Sequence, residues 1–238
     1  MNNNHIESHK IDIKGRNIHY LKAGKGPPAI LIHGGASDAR DWIYTMETFG
    51  DRFSFYAVDM PGYGQSQRHD GGYYFRDMTD TLTDFIEALK LKKVIMTGHS
   101  LGGRFCIEVA LRQPDNVSKL ILIDTTGLGG MSLWGTMLQY AFWGVRKAFR
   151  IKQPYPTYLL KPGESFHPNY EEDLVKLNIP TYFIWKGLDP YVPVSQAKRA
   201  VKKIPGAKLI VLNGYGHAPH QKNPKEFNRV FAEALDGG

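Results

Sequence analysis

Short uninterrupted apolar runs alternate along the chain with longer segments in which apolar residues recur at intervals of three or four. The runs lie at residues 29–32, 53–58, 93–97, 117–123, 181–185 and 208–212. The periodic segments lie at about 38–49, 75–91, 104–113, 194–203 and 224–235. Such runs are typical of strands covered on both faces, and the other spacing is helical. The alternation predicts an α/β fold, a mainly parallel central sheet with right-handed crossovers and flanking helices.

The first part of the chain has a different pattern. Segments 10–14 and 17–22 alternate polar and apolar residues, and Gly15 and Arg16 separate them. Alternation on both sides of a short turn is typical of an antiparallel hairpin. We expect this hairpin at an edge of the sheet.

The alternation of predicted strands and helices is interrupted between residues 127 and 178. The first part of this stretch has apolar residues at helical spacing, namely Trp134, Met137, Leu138, Ala141, Phe142, Val145, Ala148 and Phe149. The second part contains Pro154, Pro156, Pro162 and Pro168, which predict loop and short helix. The sequence therefore predicts a core domain formed by 1–126 and 179–238, with a small helical cap inserted at 127–178. The cap is expected over the carboxyl edge of the strands, where such sheets bind ligands.

Composition narrows the class of protein. The chain has 238 residues, of which 42% are hydrophobic and 22% charged, and this balance excludes disordered and fibrous classes. Cys106 is the only cysteine, so no internal disulfide framework can form, and we expect it to be a small buried residue. The sequence has no apolar run of the roughly 18 residues that a spanning helix needs and no signal-peptide pattern, so we expect a cytoplasmic protein.

The formal net charge is +7, with a pI near 9.3. A basic surface attracts anionic substrates, lipid surfaces or nucleic acid. No nucleic-acid-binding motif accompanies the charge, so we expect no nucleic-acid partner.

The candidate chemistry centres on the pentapeptide Gly98-His99-Ser100-Leu101-Gly102. It lies between a predicted strand and a predicted helix, which is the context of a nucleophile elbow. Glycine is needed at both flanks because a side chain there would collide with the neighbouring strand or helix. Ser100 would then be exposed as a nucleophile, and the amide of Leu101, at the helix N-terminus, would face developing negative charge.

A serine hydroxyl needs a base to take its proton and an acid to orient that base. Asp189 follows the strand that ends near Trp185, and His217 follows the strand that ends near Leu212. The order Ser100, Asp189, His217 matches the chain order of α/β-hydrolases and differs from that of other serine hydrolase folds.

From about residue 10 to 235 the chain resembles the α/β-hydrolase superfamily, in particular its serine esterase and lipase-like members with a short cap. The matching segments are His33-Gly34-Gly35, the run 59–66, the elbow, Gly187-Leu188-Asp189 with Pro193, and Gly216-His217. The resemblance implies that Ser100 is the nucleophile, His217 the general base and acid, and Asp189 the orienting carboxylate. It also implies that Gly35, or alternatively Ala36, donates a second oxyanion amide beside that of Leu101.

Several residues compete for these roles or support them. Asp124 also ends a predicted strand and is the alternative acid, because some family members carry the acid there. Asp59 and His220 are expected to be structural, and His33 and His99 to fix loops through hydrogen bonds. The helical spacing of zinc ligands is absent, and we expect no metal and no cofactor.

A serine nucleophile argues against haloalkane dehalogenase and epoxide hydrolase activity, because those relatives use aspartate. The sequence therefore predicts a carboxylic ester hydrolase acting on small or medium acyl chains through an acyl-enzyme. The alternatives are a C–C bond hydrolase, an amidase or iminopeptidase, a lyase resembling hydroxynitrile lyases, and a small-molecule receptor with slow turnover.

The predicted cap helix allows two interpretations. Its apolar residues, including Trp134, Met137 and Phe142, either pack the cap onto the core or line the substrate pocket. The cap also has an aromatic residue and several cations with no acid nearby, namely Trp143, Arg146, Lys147, Arg150 and Lys152. This group forms either a solvated basic face or a weak contact with an anionic lipid surface.

Overall fold

The computed structural model describes residues 5–69, 71–151 and 155–237. Its strands are β1 (Glu7–Ile13), β2 (Arg16–Ala23), β3 (Pro28–Ile32), β4 (Ser54–Val58), β5 (Tyr73–Tyr74), β6 (Val94–His99), β7 (Val117–Ile123), β8 (Tyr158–Leu159), β9 (Thr181–Leu188) and β10 (Lys208–Tyr215). Its helices are α1 (Ile43–Phe49), α2 (Phe75–Ala88), α3 (Leu101–Arg112), α4 (Leu133–Ala148), α5 (Glu171–Leu174), α6 (Val194–Lys203), α7 (Pro219–Lys222) and α8 (Pro224–Asp236). Short 3₁₀ turns lie at Ala39–Trp42 and Pro114–Asn116.

Eight strands form one sheet in the order β1-β2-β4-β3-β6-β7-β9-β10. The hairpin β1-β2 is antiparallel, β2 pairs antiparallel with β4, and the remaining neighbours are parallel. Gly15, with φ of 82°, occupies the left-handed turn of this hairpin, a conformation that glycine adopts without steric cost. The predicted edge hairpin and mainly parallel sheet are confirmed.

The central strands are buried because helices cover both faces of the sheet. On one face, Ile30 and Met96 belong to an apolar cluster with Phe85 of α2 and Phe105 of α3. On the other face, Leu31 belongs to a second cluster with residues of α1 and α8. Each fully buried side chain of this size contributes roughly 1.5–3 kcal/mol to folding. The continuous apolar runs in the sequence reflect this burial on both faces.

Two helices begin elsewhere than their apolar periodicity predicts, although the elbow motif predicts the start of α3 at Leu101 correctly. The segment predicted to be helical from about residue 38 starts as the 3₁₀ turn Ala39–Trp42, in which the side chain of Asp38 accepts a hydrogen bond from the Arg40 amide (3.0 Å). α3 begins at Leu101, directly after Ser100, whereas the apolar periodicity begins at Arg104. The glycines of the first turn carry no periodic signal, which hides the true start of the helix.

The described part of the segment predicted to be the cap contacts the rest of the chain at several points. β8 pairs in parallel with β5, which precedes α2. From α3, Arg104 donates a hydrogen bond to the carbonyl of Ser165 (2.9 Å), and Glu108 accepts one from the hydroxyl of Tyr170 (2.7 Å). Within the described ranges, no helix has the length and apolarity needed to cross a bilayer. Lys152 and Pro154 lie outside the described residues.

The parallel strands bring the candidate site together. β3, β6, β7, β9 and β10 occur side by side in that order, and all run in the same direction. His33, Ser100, Asp124, Asp189 and His217 follow their carboxyl ends. Residues far apart in the sequence therefore meet at one edge of the sheet.

Candidate active site

Ser100 occupies a strained turn between β6 and α3. Its φ of 51° and ψ of −116° are unusual for a residue with a side chain. A Cβ on Gly98 would lie 2.5 Å from the carbonyl carbon of Gly102, and a Cβ on Gly102 would lie 2.4 Å from the carbonyl oxygen of His33. Only glycine fits at these two flanks, as the sequence pattern predicts, and the strained residue between them is the expected nucleophile.

The backbone of Ser100 is held on both sides. Its amide donates to the carbonyl of Ile123 (2.9 Å), and its carbonyl accepts from the amides of Gly103 and Thr126 (3.1 Å each). These bonds tie the turn to β7 and to the segment that follows it. They offset a strain that is typically of order 1–3 kcal/mol.

His217 lies between Ser100 and Asp189. Its Nε2 is 2.9 Å from Ser100 Oγ, and its Nδ1 is 2.7 Å from Asp189 Oδ2. When Nδ1–H donates to the carboxylate, Nε2 is left to accept the proton of the serine hydroxyl. The Asp189 side chain is fully buried, and that of His217 is 20% exposed. The arrangement can therefore remove the proton of Ser100 and pass it to a bound molecule.

The loop after β9 holds Asp189 in place. Asp189 Oδ1 accepts hydrogen bonds from the amides of Tyr191 (2.7 Å) and Val192 (3.0 Å). The indole of Trp185 in turn donates to the carbonyl of Val192 (2.9 Å). The ring of Tyr191 lies 5.1 Å from that of His217. One carboxylate oxygen thus fixes the loop and leaves the other for His217.

Asp124, the alternative acid, lies beside this arrangement. It is fully buried, has φ of 42°, and accepts a hydrogen bond from the Lys186 amide (2.8 Å). Burial, and after it the neighbouring Asp189, hold the pKa of Asp124 well above its ordinary value. Asp189 is the carboxylate that hydrogen-bonds to His217. The geometry therefore favours Asp189 as the orienting acid.

Three further histidines surround the site. His99 Nε2 lies 2.5 Å from the carbonyl of His217, while His33 Nε2 accepts from the amide of Met60 (3.1 Å). His220 stacks on Trp42, with ring centroids 4.5 Å apart. Burial lowers the pKa of all three, that of His99 the furthest. His33 and His99 therefore fix loops through hydrogen bonds, as the sequence predicts, while His220 packs against Trp42.

The residues expected to form an oxyanion hole lie next to each other. A Cβ on Gly35 would lie 3.4 Å from the Leu101 side chain, which places the two backbones side by side. Ala36, the alternative donor, is exposed to solvent. The hydroxyl of Tyr63 donates to the carbonyl of Gly35 (3.2 Å) and accepts from the hydroxyl of Tyr158 (3.1 Å). That Gly35, or alternatively Ala36, donates the second amide stays a prediction.

Asp59 organises the loop that follows β4. Its carboxylate accepts from the amides of Ala39 (2.6 Å) and Gln65 (2.8 Å) and lies 2.7 Å from His19 Nδ1. The structural role predicted for Asp59 fits these bonds. No sequence motif marks His19 or Tyr63 as part of this site. His19 gives a weak signal as a polar residue between the apolar Ile18 and Tyr20 of β2.

Among the described residues, one group has the spacing of a metal site. One donor atom from each of His99, Asp124 and His217 falls within 4.8 Å of the others. Both ring nitrogens of His217 already bond to Ser100 and Asp189, and His99 Nε2 bonds to the His217 carbonyl. This hydrogen bonding fits proton transfer better than metal coordination.

The three predicted pocket residues lie on α4 and are exposed. The exposed fractions are 58% for Trp134, 54% for Met137 and 62% for Phe142. They are not buried against the core, so the alternative that they pack the cap onto it does not describe them. That they line a pocket over Ser100 stays a prediction.

The chain is similar to known proteins in sequence and in fold. A methyl ester esterase for pimeloyl-[acyl-carrier protein] from Vibrio parahaemolyticus is 27% identical over 251 residues, covering 89% of this chain and 95% of that protein. The crystal structure of a carboxylesterase from Bacillus subtilis aligns with a TM-score of 0.84 at 18% identity, covering 98% of this chain and 93% of that one. A meta-cleavage product hydrolase from Pseudomonas fluorescens aligns with a TM-score of 0.77 at 23% identity, covering 96% of this chain and 97% of that one.

The sequence model of one family, described as alpha/beta hydrolase fold, matches residues 27–151. This match spans more than half of the chain, and the sheet order and the elbow after β6 agree with it. The chain belongs to the alpha/beta hydrolase fold family.

Proposed function

We propose that this protein is a serine hydrolase that cleaves carboxylic esters with small to medium acyl chains. The observation that carries the proposal is the continuous hydrogen-bond chain from Ser100 through His217 to Asp189. In this proposal the three residues act as a catalytic triad, and the reaction requires no cofactor. Among relatives, an esterase for a methyl ester and a carboxylesterase support the same chemistry.

The first half of the reaction acylates the enzyme. His217 Nε2 takes the proton of Ser100 while Oγ attacks the ester carbonyl carbon, and the carbonyl electron pair moves to its oxygen. Asp189 stabilises the imidazolium that forms. Collapse of the tetrahedral intermediate breaks the bond to the alkoxy group, which takes the proton from His217 and leaves as the alcohol.

The negative charge of the intermediate needs donors that are already in place. The amides of Gly35 and Leu101 would supply them, with that of Leu101 at the N-terminus of α3. Losing one such donor typically costs about 3–4 kcal/mol of transition-state stabilisation. The hydrogen bond from the Tyr63 hydroxyl to the Gly35 carbonyl orients the loop that contains the Gly35 amide.

The second half releases the acid. Water gives its proton to His217 and attacks the acyl carbon, and the second tetrahedral intermediate collapses when Ser100 recovers its proton from the imidazolium. The products are a carboxylic acid and the free enzyme. The partly exposed ring of His217 leaves room for this water.

Hydrolysis of p-nitrophenyl esters from acetate to palmitate tests the proposal. We expect kcat/KM to peak at a short or medium chain and to fall by about 10⁶-fold in Ser100→Ala. Ser195→Ala, at an exposed position of α6, is the matched control and should retain activity. Labelling of Ser100 by a fluorophosphonate without ester turnover would reject the esterase proposal and favour a C–C bond, amide, lyase or receptor function.

A further inference from the structure

Helix α4 extends away from the core with its apolar side chains in solvent. Exposed fractions are 80% for Leu133, 53% for Val145 and 75% for Phe149, in addition to the values given above for Trp134 and Met137. Of the residues from 133 to 148, only Gly135 is buried. An exposed apolar surface of this extent is uncommon on proteins that act alone and marks an interaction site.

The exposed residues of α4 are arranged by polarity. Residues three, four or seven positions apart lie on one face of a helix. One such set, the apolar face, consists of Trp134, Met137, Leu138, Ala141, Val145, Ala148 and Phe149. The opposite side has Gln139, Arg146 and Lys147 together with the aromatic residues Tyr140 and Trp143, and Arg150 follows just beyond the end of the helix. This division is typical of a helix that lies in the plane of a membrane interface.

The charges of this segment have one sign. The chain has no aspartate or glutamate between Asp124 and Glu164, whereas Arg146, Lys147 and Arg150 form a cationic turn at the end of α4. Lys147 Nζ lies 5.0 Å from the centre of the Trp143 ring, so the cation and the aromatic ring, one helical turn apart, are in contact on the helix surface. Anionic headgroups complement this turn, and aromatic side chains reside well at the headgroup level.

The same pattern argues against a second copy of the chain as the partner. Two α4 helices packed together would bury their apolar faces, but neither would offer a carboxylate to the cations of the other. An anionic lipid surface offers both an apolar layer and negative charge. We propose that α4 docks this protein on membranes containing anionic phospholipid, with the apolar face inserted and the cationic turn on the headgroups.

The N-terminal end of α4 connects this surface to the candidate site. The Ser132 amide donates to the carbonyl of Tyr191 (2.8 Å), and its hydroxyl bonds to the carbonyl of Pro190 and caps the helix at the Gly135 amide. Both carbonyls belong to the loop that contains Asp189. A docked α4 therefore places the loop of the candidate acid next to the lipid surface.

The four tryptophans provide a direct probe of docking. Trp42 and Trp185 are fully buried, while Trp134 and Trp143 on α4 are 58% and 54% exposed. Quenching by acrylamide therefore reports mainly on the two residues of α4. On vesicles of phosphatidylcholine and phosphatidylglycerol we expect a blue shift of the emission and partial protection from acrylamide, because Trp134 belongs to the inserted apolar face and Trp143 does not. The protein carries Ser100→Ala so that the lipid stays intact and the result does not depend on turnover.

Vesicle flotation with matched variants completes the test. Lys147→Gln with Arg150→Gln should weaken binding to anionic vesicles about 30-fold, because each basic residue near the surface contributes about 1 kcal/mol. The control pair Lys92→Gln with Lys202→Gln, which removes exposed lysines from the loop before β6 and from α6, should weaken it far less. Val145→Asp with Phe149→Asp should abolish the blue shift while circular dichroism shows a folded protein.

Three results would overturn the docking proposal. The first is binding to vesicles of phosphatidylcholine alone that is as strong as binding to anionic vesicles. The second is a loss of binding in the control pair as large as that in Lys147→Gln with Arg150→Gln. The third is protection of Trp134 and Trp143 by self-association without lipid, measured by sedimentation. None of them bears on ester hydrolysis, so the proposed function would stand or fall separately.

Discussion

Two carboxyl groups lie within reach of the same histidine, and they differ in what surrounds them. Asp189 accepts from two loop amides and bonds to His217, whereas Asp124 is fully buried and bonds to the Lys186 amide. The difference in hydrogen bonding assigns them different roles. We expect Asp189 to orient the base and Asp124 to hold the backbone of β9 through the Lys186 amide.

Isosteric substitutions separate these roles. Asp189→Asn should lower kcat by about 10⁴-fold, because the amide favours the wrong tautomer of His217. Asp124→Asn should lower it less than about tenfold, since the amide oxygen still accepts from Lys186. Steady-state kinetics on one ester measures both. The reverse order of effects would make Asp124 the orienting acid.

The raised pKa of Asp124 also predicts a dependence of stability on pH. A carboxyl whose pKa rises on folding contributes fully below its ordinary value of 3.8, and this contribution is lost as the pH rises toward the folded pKa. Asp124→Asn lacks this titration. The free energy of unfolding of the variant, relative to wild type, should therefore rise by about 1.4 kcal/mol per pH unit within that window. Urea unfolding from about pH 4 to 8 tests this, and a constant difference would contradict it.

Single residues could be predicted where a motif or a strand end marks them. Ser100, His217 and Asp189 stand in recognisable patterns, and so does Asp59. His19 and Tyr63 could not be predicted, because their roles depend on which loops fold against them. A histidine inside a strand and a tyrosine in a turn carry no signal of their partners.

At the scale of elements, the elbow depends on the close approach of β6 and α3. Gly102→Ala places a Cβ 2.4 Å from a backbone carbonyl, so we expect a loss of about 3 kcal/mol in the free energy of unfolding. Gly144→Ala is the matched control, because no atom lies within 4 Å of its added Cβ and α4 is helical there. The control should be neutral or stabilising by up to about 1 kcal/mol. Similar losses in both variants, measured by chemical unfolding, would contradict the packing argument.

The end of α8 depends on a buried lysine of the sheet. Lys119 on β7 donates to the carbonyls of Ala234 (2.9 Å) and Leu235 (2.6 Å), at the C-terminus of that helix. A cation is favourable there, so Lys119→Met should cost about 1–3 kcal/mol. Thermal unfolding beside the exposed control Lys202→Met measures the cost. An unchanged midpoint would show that the helix end does not need the lysine.

Elements with strong periodicity were predictable, while their ends were less so. The runs that became β3, β6 and β7 are apolar throughout because both faces are covered. The apolar periodicity of α3 begins late because Gly102, in its first turn, packs against β3 and carries no apolar signal, so only the elbow motif marks the start at Leu101.

At the scale of the whole molecule, the fold follows from the order of strands and helices. Parallel strands end at one edge, so the meeting of Ser100, Asp189 and His217 could be anticipated before any distance was known. The exposure of α4 could not be anticipated from the sequence. Its apolar periodicity identifies an apolar face but does not say what covers it, and the core leaves that face open to solvent.

Rapid-quench mixing with p-nitrophenyl butyrate tests whether Ser100 forms an acyl-enzyme. We expect release of p-nitrophenolate before steady turnover, with the butyryl group found on the Ser100 peptide by mass spectrometry. Ser100→Ala should show neither. Steady turnover with no acyl group on Ser100, or undiminished turnover in Ser100→Ala, would show that Ser100 is not the nucleophile.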